Sequence, residues 1–473
     1  MECQGKEKVQ AYKIVFKDDN TGNENTVKSQ EENPNAEGKD KQSIVEKKRK
    51  PFLVPVDKEN NTDDLCSIIR KFIFKGEENM IILTGAGSSI LSKEQKLEAK
   101  EKGIKGGKTM SELLECVKCC LGIEKGKDTG EQQLNKERCC SKKKEKNSYR
   151  LPQQIMDLFN TDKNLEEILS IVTNYVKVNE QLSSATDEVE KCRKFIKEVK
   201  KLIKRECTLK YDKDVFKHGE FLSKILSVRS QKNERLKIFT ANYDTLFEQA
   251  ASKEKIIVID GFSYTEPRSF EDSFFDYDFV VRDNVRKLAE PVLVDSVIHL
   301  YKLHGSIDWF YSREDDEANN SKGGHKDTNR IRVTKGGRNS NADTDDFVMI
   351  YPATAKFEQT FTHPFFELYS RFMAELKKKN TVLIVIGFSF GDEHIKNAIY
   401  NAMKQNRSLK LVIVDPCILD TKQKEGECEN SNELASNFRF LENLYEHELS
   451  RVLLVQSTFA DFVNILHGED SST

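Results

Sequence analysis

Three residues of types that often do chemistry in proteins lie at the edges of apolar segments. Asn242 and Asp244 occur in FTANYDTLF (residues 239–247), and His304 occurs in KLHGSIDWF (residues 302–310). An amide can hold a water molecule in place and an imidazole can accept a proton near neutral pH, so these types suit catalysis without a metal ion. Taken singly, Asn242 is better explained as a turn residue and His304 as a hydrogen-bonded core histidine. The catalytic interpretation therefore depends on the fold bringing these residues together.

A glycine-containing loop follows a strongly apolar run in IILTGAGSSI (residues 81–90). Glycines at the carboxyl end of a strand let the backbone approach a diphosphate, and the N–H groups that open the next helix face the anion. Gly85 and Gly87 fit the first two positions of the GxGxxG dinucleotide-binding pattern, but Ile90 occupies the third. The loop therefore indicates either a nucleotide site or a tight turn.

Several other apolar runs also end in polar residues. One such end is common, but four at the same edge of a parallel sheet would rim a single crevice. The positions are Thr240, Asn242 and Asp244 after LKIF, His304 and Ser306 after VIHLYKL, Ser389, Gly391 and Asp392 after TVLIVIG, and Asp415 after LKLVIV. Together they favour a shared pocket over a set of unrelated turns.

The pattern of apolar residues predicts an α/β fold. Short, continuously apolar, β-branched runs such as LKIFTAN, KIIVIDGF, TVLIVIGFSF, LKLVIVDP and RVLLVQST are typical of strands buried on both faces of a parallel sheet. Helical segments such as FFELYSRFMAELKKK and EHIKNAIYNAMKQ lie between several of them. The alternation predicts a Rossmann-like, doubly wound parallel sheet.

One block of the chain has a different period, because apolar residues recur at i, i+3, i+4 and i+7. We expect this block to be a helical insertion in the α/β frame. The predicted division is a disordered polar N-terminal extension (1–50), a Rossmann-like domain (51–110 and 236–465), a helical insertion subdomain (111–235) and a flexible tail (466–473). Residues 312–346 and 418–434 are predicted to be polar surface loops.

Composition excludes several classes of protein. Lys and Arg total 76 and Asp and Glu total 78 in 473 residues, a formal net charge of −2, so direct nucleic-acid binding is not expected. No apolar run approaches the roughly 20 residues that span a bilayer, and MECQGKEKVQAYK at the start has no apolar core of a secretory signal. We expect a cytoplasmic protein without a membrane partner.

The eleven cysteines do not suggest a secreted disulfide framework. Five of them are clustered as CVKCC (Cys116, Cys119, Cys120) and CC (Cys139, Cys140). Cys116, Cys119, Cys139 and Cys140 could converge on a zinc ion, but the second pair lacks CxxC spacing and lies among lysines. Free thiols on a helical insertion are the favoured interpretation, so no metal is expected.

The motifs GAGSS, TANYD, LHGS, GFSF and IVDP occur in the order, and at the strand ends, that the sirtuin superfamily uses. The chain therefore resembles sirtuins from about residue 75 to residue 465. GGKTM, YKLHGSIDWF, MIYP and GFSFGDEHI further resemble the sirtuin-like subunits of bacterial anti-phage systems, above all the subunit encoded beside a HerA-type hexameric ATPase. The resemblance implies NAD as the substrate, and a HerA-type ATPase and a homo-oligomer as the assembly.

The resemblance also implies roles for individual residues. Asn242 matches the asparagine that positions the attacking water or the nicotinamide ribose, and Asp244 matches the group beside the nicotinamide carboxamide. His304 matches the histidine that contacts the ribose hydroxyls and serves as general base, which completes the predicted catalytic set. The predicted NAD-binding residues are Gly85, Ala86, Gly87 and Ser88 of the diphosphate loop, Ser389 and Asp415 near the adenosine ribose, and Ser89, Thr240, Gly387 and Asp392.

Two departures from ordinary sirtuin deacetylases affect the acceptor that this resemblance implies. Their first motif continues into a Gly-Ile-Pro-Asp-Phe-Arg-like segment, whereas here it continues ILSKEQK. Their zinc ribbon follows the HG motif, whereas this chain has no cysteine between His304 and Cys417. Both losses remove expected parts of an acyl-lysine peptide site and leave the NAD motifs intact, so water becomes the default acceptor.

The leading hypothesis is an NAD glycohydrolase that releases nicotinamide and ADP-ribose. It would act as an NAD-depleting effector in anti-phage defence, regulated by oligomeric assembly with the HerA-type ATPase. A protein deacylase or ADP-ribosyltransferase would keep the fold and change the acceptor, and its turnover would depend on a peptide or protein. A non-catalytic NAD or ADP-ribose sensor or scaffold would bind the nucleotide and form no product.

Overall fold

The computed structural model describes residues 10–16, 51–55, 65–121, 151–182, 186–229, 233–281, 292–313, 326–333, 347–350, 362–424 and 427–466. The predictions of an N-terminal extension over 1–9 and 17–50, and of a tail over 467–473, lie outside these ranges.

A nine-stranded, mostly parallel sheet runs through the centre of the molecule, which confirms the predicted α/β, Rossmann-like class. In spatial order its strands are β2 (Pro51–Pro55), β1 (Gln10–Phe16), β16 (Val452–Gln456), β13 (Lys410–Val414), β12 (Thr381–Ile386), β3 (Asn79–Thr84), β4 (Leu236–Thr240), β8 (Val297–Lys302) and β5 (Ile257–Ile259). From β16 to β5 the pairs are parallel, and β1 and β2 add an antiparallel edge.

The inner strands are mostly apolar because both faces of the sheet are covered. Every residue of β3, β4, β8 and β12 is buried. Successive residues of a strand point to opposite faces, so Leu83 and Val385 pack into one core and Ile82 and Ile384 into the other. The continuous apolar runs of the sequence are therefore explained by two cores on either side of one sheet.

Helices cover both faces, and none of the described ones is long and apolar enough to cross a membrane. They are α1 (Leu65–Phe74), α2 (Lys93–Glu101), α3 (Met110–Leu121), α4 (Gln153–Leu158), α5 (Leu165–Gln181), α6 (Asp187–Cys207), α7 (His218–Ser227), α8 (Leu246–Lys253), α9 (Phe365–Leu376), α10 (Glu393–Gln405), α11 (Glu446–Leu449) and α12 (Phe459–Ile465), with short 3-10 helices at Ala86–Ser88, Asp272–Asp276 and Ser436–Asn443.

Three small antiparallel sheets lie outside the central one. They are β9 (Gly305–Arg313) with β10 (Lys326–Val333) and β11 (Phe347–Met349), β6 (Val280–Val281) with β7 (Val292–Leu293), and β14 (Leu419–Lys424) with β15 (Glu427–Leu434).

Helices α3 to α6 form a core of their own. Val117, Ile168 and Phe195 pack there, together with Ile307 of β9 and Phe347 of β11. Helix α7 packs instead with the apolar residues of the central sheet. The helical subdomain therefore rests on the sheet that follows His304, and it ends before the predicted boundary at 235.

The structure differs from the sequence predictions at three polar or short segments. Strand β1 lies in the predicted disordered extension, yet its Ala11, Tyr12 and Ile14 are buried and it pairs on both sides. Seven residues between polar segments are too few for a reliable strand pattern. Strand β10 and the hairpin β14–β15 lie in predicted loops, and their backbone pairing has no apolar alternation that would reveal it.

Candidate functional site

The sheet register places the ends of its central strands in one row. Ile386 is opposite Thr84, Thr84 is opposite Thr240, and Thr240 is opposite Lys302. Chain order reverses beside β3, since β4, β5 and β8 lie on one side of it and β12, β13 and β16 on the other. Ligands of open α/β sheets bind outside the carboxyl ends of strands at such a switch point. Thr240 is part of this row and Asp415 follows β13, and the other predicted site residues follow the row.

The loops after β3 and β12 touch through their backbones at the switch point. The Gly87 N–H donates to the Gly387 carbonyl over 2.9 Å. A Cβ on Gly87 would lie 2.5 Å from the Gly387 Cα, and a Cβ on Gly85 would lie 2.6 Å from the Gly387 oxygen. Gly387 also has φ +57°, a left-handed conformation that favours glycine. These glycines are therefore required for the close contact between the loops after β3 and β12. This requirement holds whether or not they also bind a diphosphate.

Asn242 is anchored by its amide nitrogen. Nδ2 donates to the Gly85 carbonyl at 2.9 Å and lies 3.1 Å from Ser88 Oγ and 3.0 Å from Ser89 Oγ. A carbonyl oxygen only accepts, so the nitrogen must face Gly85. The amide oxygen, Oδ1, is thereby turned away from the loop and is available as an acceptor.

Asp244 lies beneath Asn242 in the same turn. Its Oδ2 accepts from Ser89 Oγ at 2.7 Å, and its Oδ1 accepts from the Leu246 N–H at 3.0 Å at the start of α8. Asp244 and Ser89 are both buried. Ser89 thus connects Asp244 to Asn242, and its hydroxyl is used within the protein.

His304 is paired with a residue that the sequence assigned to cofactor binding. Its Nε2 lies 3.1 Å from Asp392 Oδ2, and both side chains are buried. Asp392 is the N-cap of α10, since Oδ1 accepts from the N–H groups of His394 and Ile395. A carboxylate acceptor fixes the proton of the neutral imidazole on Nε2 and leaves Nδ1 as its proton acceptor.

The segment around His304 is tightly fixed by its backbone. The His304 carbonyl accepts from the Ile350 N–H at 2.9 Å. Gly305 has φ +81°, and a Cβ there would lie 2.1 Å from the Val348 oxygen, so the HG pair of the motif requires glycine. The position of the imidazole therefore depends on β11 as well as on β8.

The remaining predicted residues have mixed surroundings. Ala86 and Ser389 are exposed on the two loops at the switch point, whereas Thr240 is buried and accepts from the Asn242 N–H at 3.1 Å. The Asp415 carboxylate accepts from the Cys417 N–H at 2.8 Å, and burial raises its pKa. Asp415 thus closes its own turn at the end of β13, beside the switch point.

The GGKTM loop reaches the site, although no site role was predicted for it. The Gly107 N–H donates to the Ser89 carbonyl at 2.8 Å. Lys108 Nζ lies 3.8 Å from Glu206 Oε2 in the last turn of α6. The helical subdomain is therefore in contact, through one loop, with the serine that joins Asn242 to Asp244.

Among the described residues, sequence reasoning missed Lys302 and the pairing of His304 with Asp392, although Asp392 itself was predicted to bind NAD. Lys302 appears in the sequence as part of an apolar strand, yet it is buried beside Asp244. Thr84 Oγ1 is also buried at the end of β3, without a hydrogen-bond partner in the described part of the chain. A polar residue at the last position of a buried strand was the signal that could have identified Lys302 and Thr84.

The arrangement of strand ends, anchored amide and paired imidazole agrees with the outcome of a comparison with protein families. Residues 236–435 match the family model of the SIR2-like domain. This match supports membership of the SIR2 superfamily, and it spans Asn242, Asp244, His304 and Asp392. SIR2-like domains act on NAD, so the site fits an NAD-related activity. No curated protein matches the chain.

No group of three or more His, Cys, Asp or Glu residues in the described ranges could hold a metal ion. The zinc alternative involves Cys139 and Cys140, which lie outside those ranges. Burial raises the pKa of the Cys207 thiol, near Asp244, to about 12.

Proposed function

We propose that the protein is an NAD glycohydrolase that cleaves NAD to nicotinamide and ADP-ribose. The observation that carries this proposal is the placement of two fixed groups at one sheet edge. The amide of Asn242 is anchored with its oxygen available, and the imidazole of His304 is held by Asp392 with Nδ1 as its acceptor. SIR2-superfamily membership supplies NAD as the substrate class.

The chemistry requires few parts. The nicotinamide ring of NAD is positively charged and leaves as neutral nicotinamide with the electron pair of its bond to ribose. Cleavage therefore passes through an oxocarbenium-like state of the ribose. A water molecule must then be held in line, and its proton must be accepted. Asn242 Oδ1 can accept a hydrogen bond from that water or from a ribose hydroxyl, and His304 Nδ1 can accept the proton.

Asp392 would support this role of His304. When the imidazole takes up a proton, both ring nitrogens carry hydrogen and the ring becomes cationic. The buried carboxylate 3.1 Å from Nε2 stabilises that cation. Because the N–H groups of α10 hold the other oxygen, the carboxylate need not reorganise during the reaction.

The segment after His304 supports water as the acceptor. Ordinary sirtuins continue there into a cysteine-containing ribbon, whereas here it continues into β9 of a three-stranded sheet. Ile307 of β9 and Met349 of β11 are buried against the helical subdomain. The region that completes a peptide site in deacylases is thus used for internal packing, which favours hydrolysis over deacylation.

We further propose that the activity serves anti-phage defence and is restrained or triggered by assembly. Unrestricted loss of NAD would harm the cell that makes the enzyme. The contact between the GGKTM loop, Ser89 and Glu206 offers a route from the helical subdomain to the site. A homo-oligomer and a HerA-type ATPase remain the predicted partners from the resemblance.

An acceptor test separates this proposal from its alternatives. The protein, alone and with the product of its neighbouring gene, is incubated with NAD in the presence or absence of an acetyl-lysine peptide. Hydrolysis predicts equal amounts of nicotinamide and ADP-ribose, independent of peptide. Nicotinamide release that requires the peptide would establish a deacylase. Bound NAD without any product in either mixture would favour the sensor or scaffold.

A further inference from the structure

A buried lysine lies beside the predicted catalytic residues and has no part in the mechanism above. Lys302 is the last residue of β8, two positions before His304, and it is 2% exposed. Lysine is rarely buried to this degree without partners that compensate for its lost hydration. Its partners therefore indicate why the strand ends in a lysine.

One partner of Lys302 lies in the connection that carries Asn242, and the other lies in the helix that follows it. The Lys302 ammonium donates to the backbone carbonyl of Asp244, and its Nζ lies 3.1 Å from Glu248 Oε1. Glu248 lies in the first turn of α8, directly after that connection. Lys302 thus joins the turn with Asn242 and Asp244 to the end of β8, which precedes His304.

The charge of Lys302 also acts on the neighbouring carboxylates. Glu248 Oε2 is buried and, in the part of the chain that the structure describes, has no hydrogen-bond partner. Burial raises the pKa of Glu248 and of Asp308, and in both the Lys302 charge opposes that shift. A purely structural ion pair between Lys302 and Glu248 would explain these effects on pKa. It would not explain why the Lys302 ammonium also donates to the Asp244 carbonyl.

We infer that Lys302 is a positioning residue. Its hydrogen bond to the Asp244 carbonyl holds the turn that carries Asn242 in a fixed position relative to His304. Register supports this inference, because Lys302 lies opposite Thr240, two residues before Asn242. The inference rests on the proposed function for its effect on turnover. The predicted effect of Lys302 on the backbone of the turn with Asn242 and Asp244 does not depend on turnover.

The experiment compares Lys302→Met, Glu248→Gln and the double variant in the full-length protein. Lys302→Met alone leaves the half-buried Glu248 without its cation, so the Tm of this variant is expected to fall. The double variant removes both charges and is expected to recover most of that loss. Its kcat should nevertheless stay at least about 10-fold below that of the wild type, with KM within about 2-fold, since the diphosphate loop is unchanged.

Amide hydrogen exchange supplies a second measurement that needs no activity. In the double variant, a peptide covering residues 240–248 should exchange at least about 10-fold faster, while peptides from β12 remain at the wild-type rate. Wild-type exchange together with wild-type kcat in the double variant would overturn the inference and leave a simple ion pair. An inactive wild-type protein would contradict the proposed function, and the exchange rates would still decide the role of Lys302.

Discussion

His304 Nε2 lies 3.1 Å from Asp392 Oδ2, across the point where the sheet reverses its chain order. His304 follows β8 on one side of β3, and Asp392 follows β12 on the other. The pair therefore connects two halves of the sheet as well as orienting a side chain. The two carboxylate oxygens of Asp392 have different partners, since Oδ2 faces His304 and Oδ1 caps α10. A substitution that changes only one oxygen can therefore separate the effect of Asp392 on catalysis from its effect on stability.

Asp392→Asn is expected to lower kcat about 10²- to 10³-fold while leaving the fold intact. The Asn oxygen can still cap α10, because Asn and Asp are similar N-caps. The Asn NH2 cannot accept a hydrogen bond from the Nε2–H of His304, so the tautomer and orientation of His304 are lost. Steady-state rates of nicotinamide release and Tm measure both effects. A kcat equal to that of the wild type would show that His304 needs no carboxylate partner.

Asn242→Asp tests the anchored amide with almost no change in shape. A carboxylate oxygen would replace Nδ2 and face the Gly85 carbonyl at 2.9 Å, so repulsion should displace the side chain. We expect kcat to fall at least about 10²-fold. Circular dichroism and Tm provide the control for folding. A folded variant that retains most of its activity would mean that the amide orientation is unimportant.

Gly387→Ala should destabilise the protein by about 3 kcal/mol or more. Its φ is +57°, and a Cβ would lie 2.5 Å from the Gly87 Cα. Gly391→Ala is the matched control, because the nearest atom to its Cβ is Ser389 Oγ at 3.5 Å. Urea unfolding measures both. Equal stability of the two variants would contradict the close approach of the loops after β3 and β12.

Acid should destabilise the protein through its buried histidines. Desolvation by burial lowers the pKa of His218 from 6.5 to about 4, inside a cage of Phe216, Phe247 and Phe459. The unfolded state therefore binds a proton that the folded state does not, so this contribution is full above pH 6.5. It is lost as the pH falls towards 4, on the order of 3 kcal/mol in all. The pKa of His299 is lowered in the same way, to about 4, chiefly by burial.

His218→Phe isolates one of these contributions. The ring fits among phenylalanines and has no proton to gain, so the free energy of unfolding should fall less steeply between pH 6.5 and pH 4. His447→Phe is the control, since the His447 side chain is 67% exposed. Urea unfolding at several pH values supplies the slopes. An unchanged slope in His218→Phe would show that His218 is not a buried neutral histidine.

The sequence predicted the strands best where burial on both faces leaves an unbroken apolar run. TVLIVIG and LKIFT are such runs, and each of them contains a strand whose residues are all buried. Polar residues at or just after the end of each run mark the end of the strand. Strand β1 was missed because it is short and lies between polar segments, and the hairpin β14–β15 was missed because backbone pairing can stabilise strands that lack an apolar pattern. Such pairing depends on the fold, which a local pattern does not contain.

The candidate site was predicted as a set of residue types rather than as a set of contacts. Asn242 and His304 were predicted as site residues because each follows a strand at the same sheet edge. The partner of His304 lies 88 positions away in sequence, so their contact depends on the spatial order of β8 and β12. Lys302 was missed for a different reason, since one lysine at the end of an apolar run also suits an exposed strand terminus.

The most direct measurement is NAD turnover by the purified protein, alone and with its neighbouring gene product, beside His304→Ala and Asn242→Asp. The account predicts that wild-type protein releases nicotinamide and ADP-ribose in equal amounts. It also predicts that both variants remain folded, bind NAD and lose the activity. Equal release by the wild type and by both variants would place the reaction elsewhere, and no release in any mixture would contradict the glycohydrolase.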